Sequence, residues 1–521
     1  MEFEILKDLV KSVSKHTSKK IEVVTNLENN KSKIGQFYNG LIQGKFKDEK
    51  EAVRLICKSY DVKNATYLKI KDKLIKQLNN SALFVDTNHS SYNERAKAYY
   101  NAYKDFAIAV SLLSRDTIKP AIYTLQKVLD QAIKYELIDL AADTLKMLRG
   151  NHALTYFDSE KHSYYINLYK TYEKKRKWEN LASEYYDTLL GYYLNNRSPN
   201  DVVNRISSEY YEELLDVAET VNTSGFYRNL YIIGIIKYAS INDSKNALKV
   251  CEEALAVLST RPNTNRGTIS LFLLQKVSLL TQLKTNNISE VNNIFQWIYE
   301  NSVVSELSSM RIKEISFYFF ASHNLYRKSL DSYKDAVNSD GFLSFEGSIH
   351  DNWLLLGGYL HLLARLNQLD PQEVESVVGK FRYSKLFNEI EVLKKDKEGM
   401  NIPLILLPVL YELAQEPGKS MKEIPTDGLE KYRQRWLAND LNRRSNSFFR
   451  IVITLAQHQV LTAQQKKKIN RELAIIRSET PEIARQHFAI EVIPYETLTE
   501  LLLEKMGLFS ILEQPEPLAT N

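Results

Sequence analysis

The stretch Lys431 to Arg450, KYRQRWLANDLNRRSNSFFR, concentrates more reactive side-chain types than any other part of the sequence. Lys431, Arg433, Arg435, Arg443, Arg444 and Arg450 stand against one acid, Asp440, with Tyr432, Trp436, Phe448 and Phe449 interleaved. A guanidinium forks onto a carboxylate or phosphate through two parallel N–H donors, and an aromatic face beside it can stack on a base. The block therefore suits an acidic protein surface or a nucleic acid, with Arg433, Arg435, Trp436, Arg443 and Arg444 as expected contacts. It also suits a purely structural role. In that case Arg435 and Arg443 bridge acidic helix ends while Trp436 and Phe449 fill a core.

Tyrosine is the second chemical feature, with 32 residues and doublets at Tyr99-Tyr100, Tyr164-Tyr165, Tyr185-Tyr186, Tyr192-Tyr193 and Tyr210-Tyr211. On a helix, one ring of a doublet packs between neighbours while the other leans outward. Outward tyrosines make large contacts at low entropy cost, so Tyr185 and Tyr192 are expected to meet a protein or peptide partner, the alternative for any one ring being packing between repeats with its hydroxyl reaching water.

Catalytic patterns are scarce. The nine histidines contain no HExxH or other spacing that sets two ligands on one helical face. His350 and His361 flank the apolar stretch Trp353 to Leu360, where a hydrogen-bonded core histidine is expected rather than a metal ligand. Gly418-Lys419-Ser420 matches the end of a phosphate-binding loop, but Leu413 occupies the position of its first glycine and no strand precedes it. No GxGxxG or GxSxG occurs, and Cys57 and Cys251 have no histidine nearby in sequence. The chain is expected to be no enzyme and to need no metal or cofactor.

The elements that position these residues follow from composition. Glycine and proline number 17 and 12 in 521 residues, roughly 3% and 2% against average usage near 7% and 5%. With 44% hydrophobic residues, such a breaker-poor chain is expected to be all-α. Three regions are expected. Residues 1–90 read as a basic helical module: Phe3, Leu6, Val10 and Val13 recur at helical spacing, and a further helix covers Ile34 to Ile42. Asp48-Glu49-Lys50-Glu51 then opens a helix through Ala52, Leu55 and Ile56, and a turn leads to Tyr67, Ile70, Leu74, Ile75 and Leu78. The last two have helix-turn-helix proportions or, in the plainer reading, form a structural cap on the repeats that follow. Residues 1–80 hold 17 Lys/Arg and 10 Asp/Glu, a net of +7 in a chain of net +5. That excess points to an anionic partner or to a solvated, lysine-rich face.

From about 91 to 370, amphipathic segments of 14–20 residues alternate with short polar joints such as Arg115-Asp116, Thr223-Ser224-Gly225, Asn242-Asp243 and Arg261-Pro262-Asn263. Nine of the twelve prolines fall within 371–521, so that region should carry shorter helices and more turns. Phe488 to Ile493 is its one candidate strand, and Glu513 to Asn521 its frayed tail.

At 228–262 the residues resemble a tetratricopeptide repeat, a 34-residue pair of antiparallel helices. Tyr231, Ile235 and Tyr238 occupy first-helix packing positions, Asn242-Asp243 the turn, Ala247, Cys251 and Ala254 the narrow second-helix face, with Pro262 beyond. Trp178, Leu181, Ala182 and Tyr185 match the first half of the same signature, and Ala121, Leu125 and Val128 echo it more loosely. The resemblance implies a tetratricopeptide-like α-solenoid whose concave surface binds a protein or peptide as a non-enzymatic scaffold. A nucleic-acid-binding regulator, acting through the basic N-terminal module or through 431–450, is the alternative.

Two isolated cysteines form no disulfide framework, which fits a reducing compartment. Met1-Glu2-Phe3-Glu4 lacks a basic, then apolar leader, and no apolar run approaches the ~20 residues of a bilayer span. A cytoplasmic chain with no membrane contact is expected.

Overall fold

The computed structural model describes residues 32–82, 94–154, 159–194, 200–285, 287–301, 306–339, 342, 345, 347–391, 393–395, 397, 399–415, 426–439, 442–458, 460–481 and 490–511. The expected first stripe from Phe3 to Val13, the Gly418-Lys419-Ser420 segment, Asp440 and the tail after 511 lie outside the described residues. Within them the fold is all-α and contains no strand. The chain divides into two compact units, 1–176 and 177–521.

In the first unit, helices α1 (Lys33–Ile42), α2 (Glu49–Cys57) and α3 (Ala65–Ala82) form a small module. Their starts are written in the sequence: Ser32 and Asp48 accept hydrogen bonds from the backbone N–H groups of Gly35 at 3.0 Å and Glu51 at 2.8 Å. Phe37, Phe46, Ala52, Val53, Ile56, Tyr67, Leu74 and Leu78 close its core. Leu55, expected inside, is 53% exposed because Ala52, Val53 and Ile56 carry the buried face of α2. Helices α4 (Glu94–Leu113), α5 (Ile118–Lys134) and α6 (Ile138–Leu154) follow, each packed on its chain neighbour around Leu125, Val128, Leu140, Leu145 and Leu148.

Helix α7 (Ser159–Leu194) runs 36 residues from the first unit into the second, longer than any segment expected. It carries no proline, and its first glycine is Gly191, so nothing local ends it sooner.

The second unit continues with α8 (Asn200–Leu215) and the single turn α9 (Ala218–Val221). Helices α10 (Ser224–Ala239), α11 (Ser244–Ser259), α12 (Arg266–Gln282), α13 (Ile288–Asn301), α14 (Glu306–Ser322), α15 (Tyr326–Val337), α16 (Ser348–Arg365) and α17 (Pro371–Val378) then come in pairs. Asn242, Lys284, Asn324 and Asn367 make the turns within these pairs, each with left-handed backbone at φ between 52° and 61°. The N–H of the residue after each turn reaches the carbonyl five positions back, as Asp243 to Tyr238 at 3.0 Å and Gln368 to Leu363 at 2.9 Å. This Schellman closure satisfies the last orphan carbonyls of one helix while reversing the chain into the next. The turns recur at 42, 40 and 43 residues, a longer period than the 34 of a tetratricopeptide repeat. Helices of up to 18 residues and the connections after α11, α13 and α15 take up the difference.

The α10–α11 hairpin forms where the residues predict it. Tyr231 and Ile235 pack on Ala247, Cys251 and Ala254, all fully or nearly buried. Small side chains on α11 let the two backbones approach, and the larger rings on α10 fill the space above them.

After α17 come α18 (Tyr383–Glu389), α19 (Asn401–Leu413), α20 (Thr426–Trp436), α21 (Arg443–Gln457), α22 (Ala463–Ser478) and α23 (Tyr495–Lys505). One continuous core gathers side chains from Met310 to Leu503, including Trp353, Tyr359, Phe448 and Phe449. The expected strand is corrected: Phe488 lies outside the described residues, and Ile490–Ile493 form bends rather than a strand. Ile490, Val492 and Ile493 are nevertheless buried. Burial in the helical core accounts for the apolar character of 490–493 without strand pairing.

Candidate functional site

The helices dispose of the arginine block one residue at a time. On α20, Arg433 donates through Nε and Nη2 to Glu430 at 2.9 and 2.5 Å, and through Nη1 to Asn446 at 2.8 Å. The Arg435 guanidinium is exposed and lies 5.0 Å over the ring of Trp436, which is itself half-buried against the large core. Arg443 opens α21 and pairs with Glu479 at 3.0 Å, at the C-terminal end of α22. This matches the expected bridge to a helix end, where a cation also meets the negative pole of the helix dipole. Arg450 reaches Glu472 at 3.0 Å.

Arg444 is sealed inside the second unit at 1% exposure. Its Nε and Nη2 fork onto Glu491 at 2.6 and 2.7 Å, and Nη2 also meets Glu496 at 2.8 Å. Its Nη1 donates to the carbonyls of Ile476 and Glu479. All five guanidinium N–H donors are thereby used. Tyr495 N–H donates to Glu491 at 3.0 Å, and Lys284 pairs with Glu496, its ammonium lowered to about 8 by burial and by the nearby Arg444 charge. This is a structural hub and offers no donor to a surface partner. Sequence reasoning missed it, although Arg444 stands four residues before Phe448 and eight before Val452 on the buried stripe of α21.

The tyrosines separate similarly. Tyr185 stacks on Tyr210 with centroids 3.7 Å apart and donates its hydroxyl to Glu213 at 2.6 Å; burial and that hydrogen bond raise its pKa. Tyr192 is half-buried against the same core. Both rings serve packing among α7, α8 and α10 more than they serve the surface. The doublet rule holds at Tyr164-Tyr165, where the first ring is exposed and the second buried.

An exposed aromatic pair lies on α4, a helix whose only sequence signal was the Tyr99-Tyr100 doublet. It turns Ala98, Ala102 and Ala109 inward and Tyr99, Tyr103 and Val110 outward, at 51%, 38% and 40% exposure. The two rings lie 4.6 Å apart. Positions 99, 103 and 110, four and then seven residues apart, share one stripe of a 3.6-residue helix. The inner face also carries Phe106 and Leu113, half-buried against the same core, so the outward Tyr99, Tyr103 and Val110 are apolar surface beyond what the core takes.

Among the described residues, no group of three or more His, Cys, Asp or Glu is placed to hold a metal ion. His361 receives the structural role expected of it, with Nε2 2.8 Å from the Gly379 carbonyl. Burial raises the Cys251 thiol to about 12, so it is a poor nucleophile in the fold. Glu314 is buried, with Arg311 at 2.6 Å and the Asn352 amide as partners. No helix among the described residues is long and apolar enough to cross a membrane. No protein-family model, curated protein or solved structure matches the chain.

Proposed function

We propose that the chain is a non-enzymatic interaction scaffold of the cytoplasm, built on tetratricopeptide-like hairpins of lengthened period, that captures a protein or peptide partner. The exposed stripe of α4 carries this reading. Exposed tyrosines supply binding energy at interfaces out of proportion to their number, because a rigid ring buries much area at small entropic cost. The side chains of Tyr99 and Tyr103 already touch, so a partner would meet a preformed aromatic step. Tyr123 and Tyr164, also well exposed on α5 and α7, add candidate contacts.

Affinity capture from the native cytosol with the full chain, compared with a Tyr99→Ser/Tyr103→Ser variant, tests the reading. A specific partner should survive nuclease treatment and be lost from the variant, with affinity reduced by about 2 kcal/mol per hot-spot ring. Retention of the same partners by the variant sinks the proposal. Tyr99 is half exposed and Tyr103 38% exposed, and serine is tolerated on a helix surface, so the variant should keep the parent's helix content, checked by circular dichroism.

A further inference from the structure

The geometry points to a second surface, independent of α4: the exposed face of α3 docks on the phosphate backbone of duplex nucleic acid. Residues 33–79 contain eleven Lys/Arg and five Asp/Glu, a net of +6 in a chain whose total is +5. Four of the five acids are consumed inside the module. Asp48 caps α2 and Asp61 accepts from the N–H of Lys63 at 2.9 Å. Glu49 pairs with the buried Lys71 at 2.7 Å, and Glu51 accepts from the N–H of Lys47 while lying 3.5 Å from Arg54.

Three of the remaining cations share one stripe of α3. Tyr67, Ile70, Lys71, Leu74 and Leu78 form the buried face of α3, and Lys69, Asp72, Lys73 and Lys76 the opposite, exposed face. Among the described residues, none of these three lysines lies within 4.0 Å of a carboxylate. Asp72 is the single acid on the stripe. Lys69 to Lys76 spans about 10 Å of helix at 1.5 Å per residue, while each strand of a duplex presents a phosphate every ~3.4 Å of its axis. Three ammonium groups can therefore meet backbone phosphates without distortion of either partner.

The stripe also indicates which nucleic acid fits. Single-strand binders interleave aromatic rings among their cations so that bases can stack. Here the stripe is Lys, Asp, Lys, Lys, and the exposed Tyr60 sits in the turn before α3 rather than on it. Lysine ammoniums act as point charges with no bidentate reading of base edges, so the contact is to phosphate and carries no sequence preference.

Fluorescence anisotropy with the full chain and a labelled duplex DNA of mixed sequence, titrated at several salt concentrations, tests the proposal. Binding should fall steeply between about 50 and 200 mM salt. A Lys69→Gln/Lys73→Gln/Lys76→Gln variant should bind more weakly at low salt and reduce the slope of log K against log salt by about 2.7, close to 0.9 for each phosphate no longer neutralised. Glutamine is about as good a helix former as lysine, so the module should stay folded. The exposed Lys466, Lys467 and Lys468 of α22 give the control: their replacement by glutamine should leave the slope nearly unchanged.

No binding at low salt overturns the proposal, as does an unchanged slope in the α3 variant or an equal loss in the α22 control. Loss of binding to a polyglutamate probe, with duplex affinity intact, would assign the stripe to an acidic protein and overturn it as well.

Discussion

At the scale of single residues, the arginine block shows how a charged cluster divides by burial. Arg433 pairs half-buried with Glu430, Arg443 pairs at the surface, Arg435 lies over Trp436, and Arg444 enters the core. The Glu430–Arg433 pair gives a pH prediction. Hydrogen bonds from Arg433 hold the Glu430 carboxyl down to about 2, from an ordinary 4.5. A depressed carboxylate pKa contributes stability that is full above the unfolded value and is lost as pH falls from there through the folded one. Stability relative to Glu430→Gln should thus be greatest above about pH 5 and vanish near pH 2. Glu430 is 38% exposed, so the difference should be no more than about 1 kcal/mol. Acid denaturation of the two proteins, monitored by circular dichroism, checks it; a constant offset down to the lowest pH would refute the assignment.

At the scale of elements, helices were legible and their ends more so. Thr223 and Asp243 accept backbone hydrogen bonds at the starts of α10 and α11, where their residue types predict caps. Asn242, Asn324 and Asn367 sit at left-handed turns, a conformation asparagine tolerates better than most residues. Close approaches between helices were less visible. Gly234 of α10 faces Tyr211 of α8, and a Cβ there would come within 2.6 Å of the ring. Alanine is the better helix former by about 1 kcal/mol, yet overpacking typically costs about 1–3 kcal/mol. Gly234→Ala should therefore lower the melting temperature despite its higher propensity. A rise would show that the Tyr211 ring moves aside freely.

At the scale of the second unit, the end of the chain reaches back to the hairpin turns. Thr480 donates to the carbonyl of Asn242 at 3.3 Å, Glu496 pairs with Lys284, and Lys505 donates to Asn367 at 3.2 Å. The Arg444 hub lies along this run. Breaking a buried ion pair from one side strands a charge, at about 3–5 kcal/mol, whereas replacing both sides with apolar groups is often near neutral. Arg444→Met should be severely destabilising, and adding Glu491→Leu should recover much of the loss. All four tryptophans, Trp178, Trp297, Trp353 and Trp436, belong to this unit, so urea unfolding followed by tryptophan fluorescence reports on it alone. Equal destabilisation of the single and double variants would show that the hub acts by packing rather than by charge.

Local chemistry determined a great deal. Scarce glycine and proline, helical spacing of apolar residues and recognisable caps were enough to establish an all-α chain and to locate most of its joints, because these depend on residues within one or two turns of each other. The α10–α11 hairpin was readable for the same reason, with Ala247, Cys251 and Ala254 one helical turn apart. Tertiary structure alone decided which of two adjacent arginines is buried, since the partners of Arg444 lie 47 and 52 residues away. It likewise decided that α4 turns its alanines inward and leaves its tyrosines outside, since a face is buried only when neighbouring helices arrive to cover it.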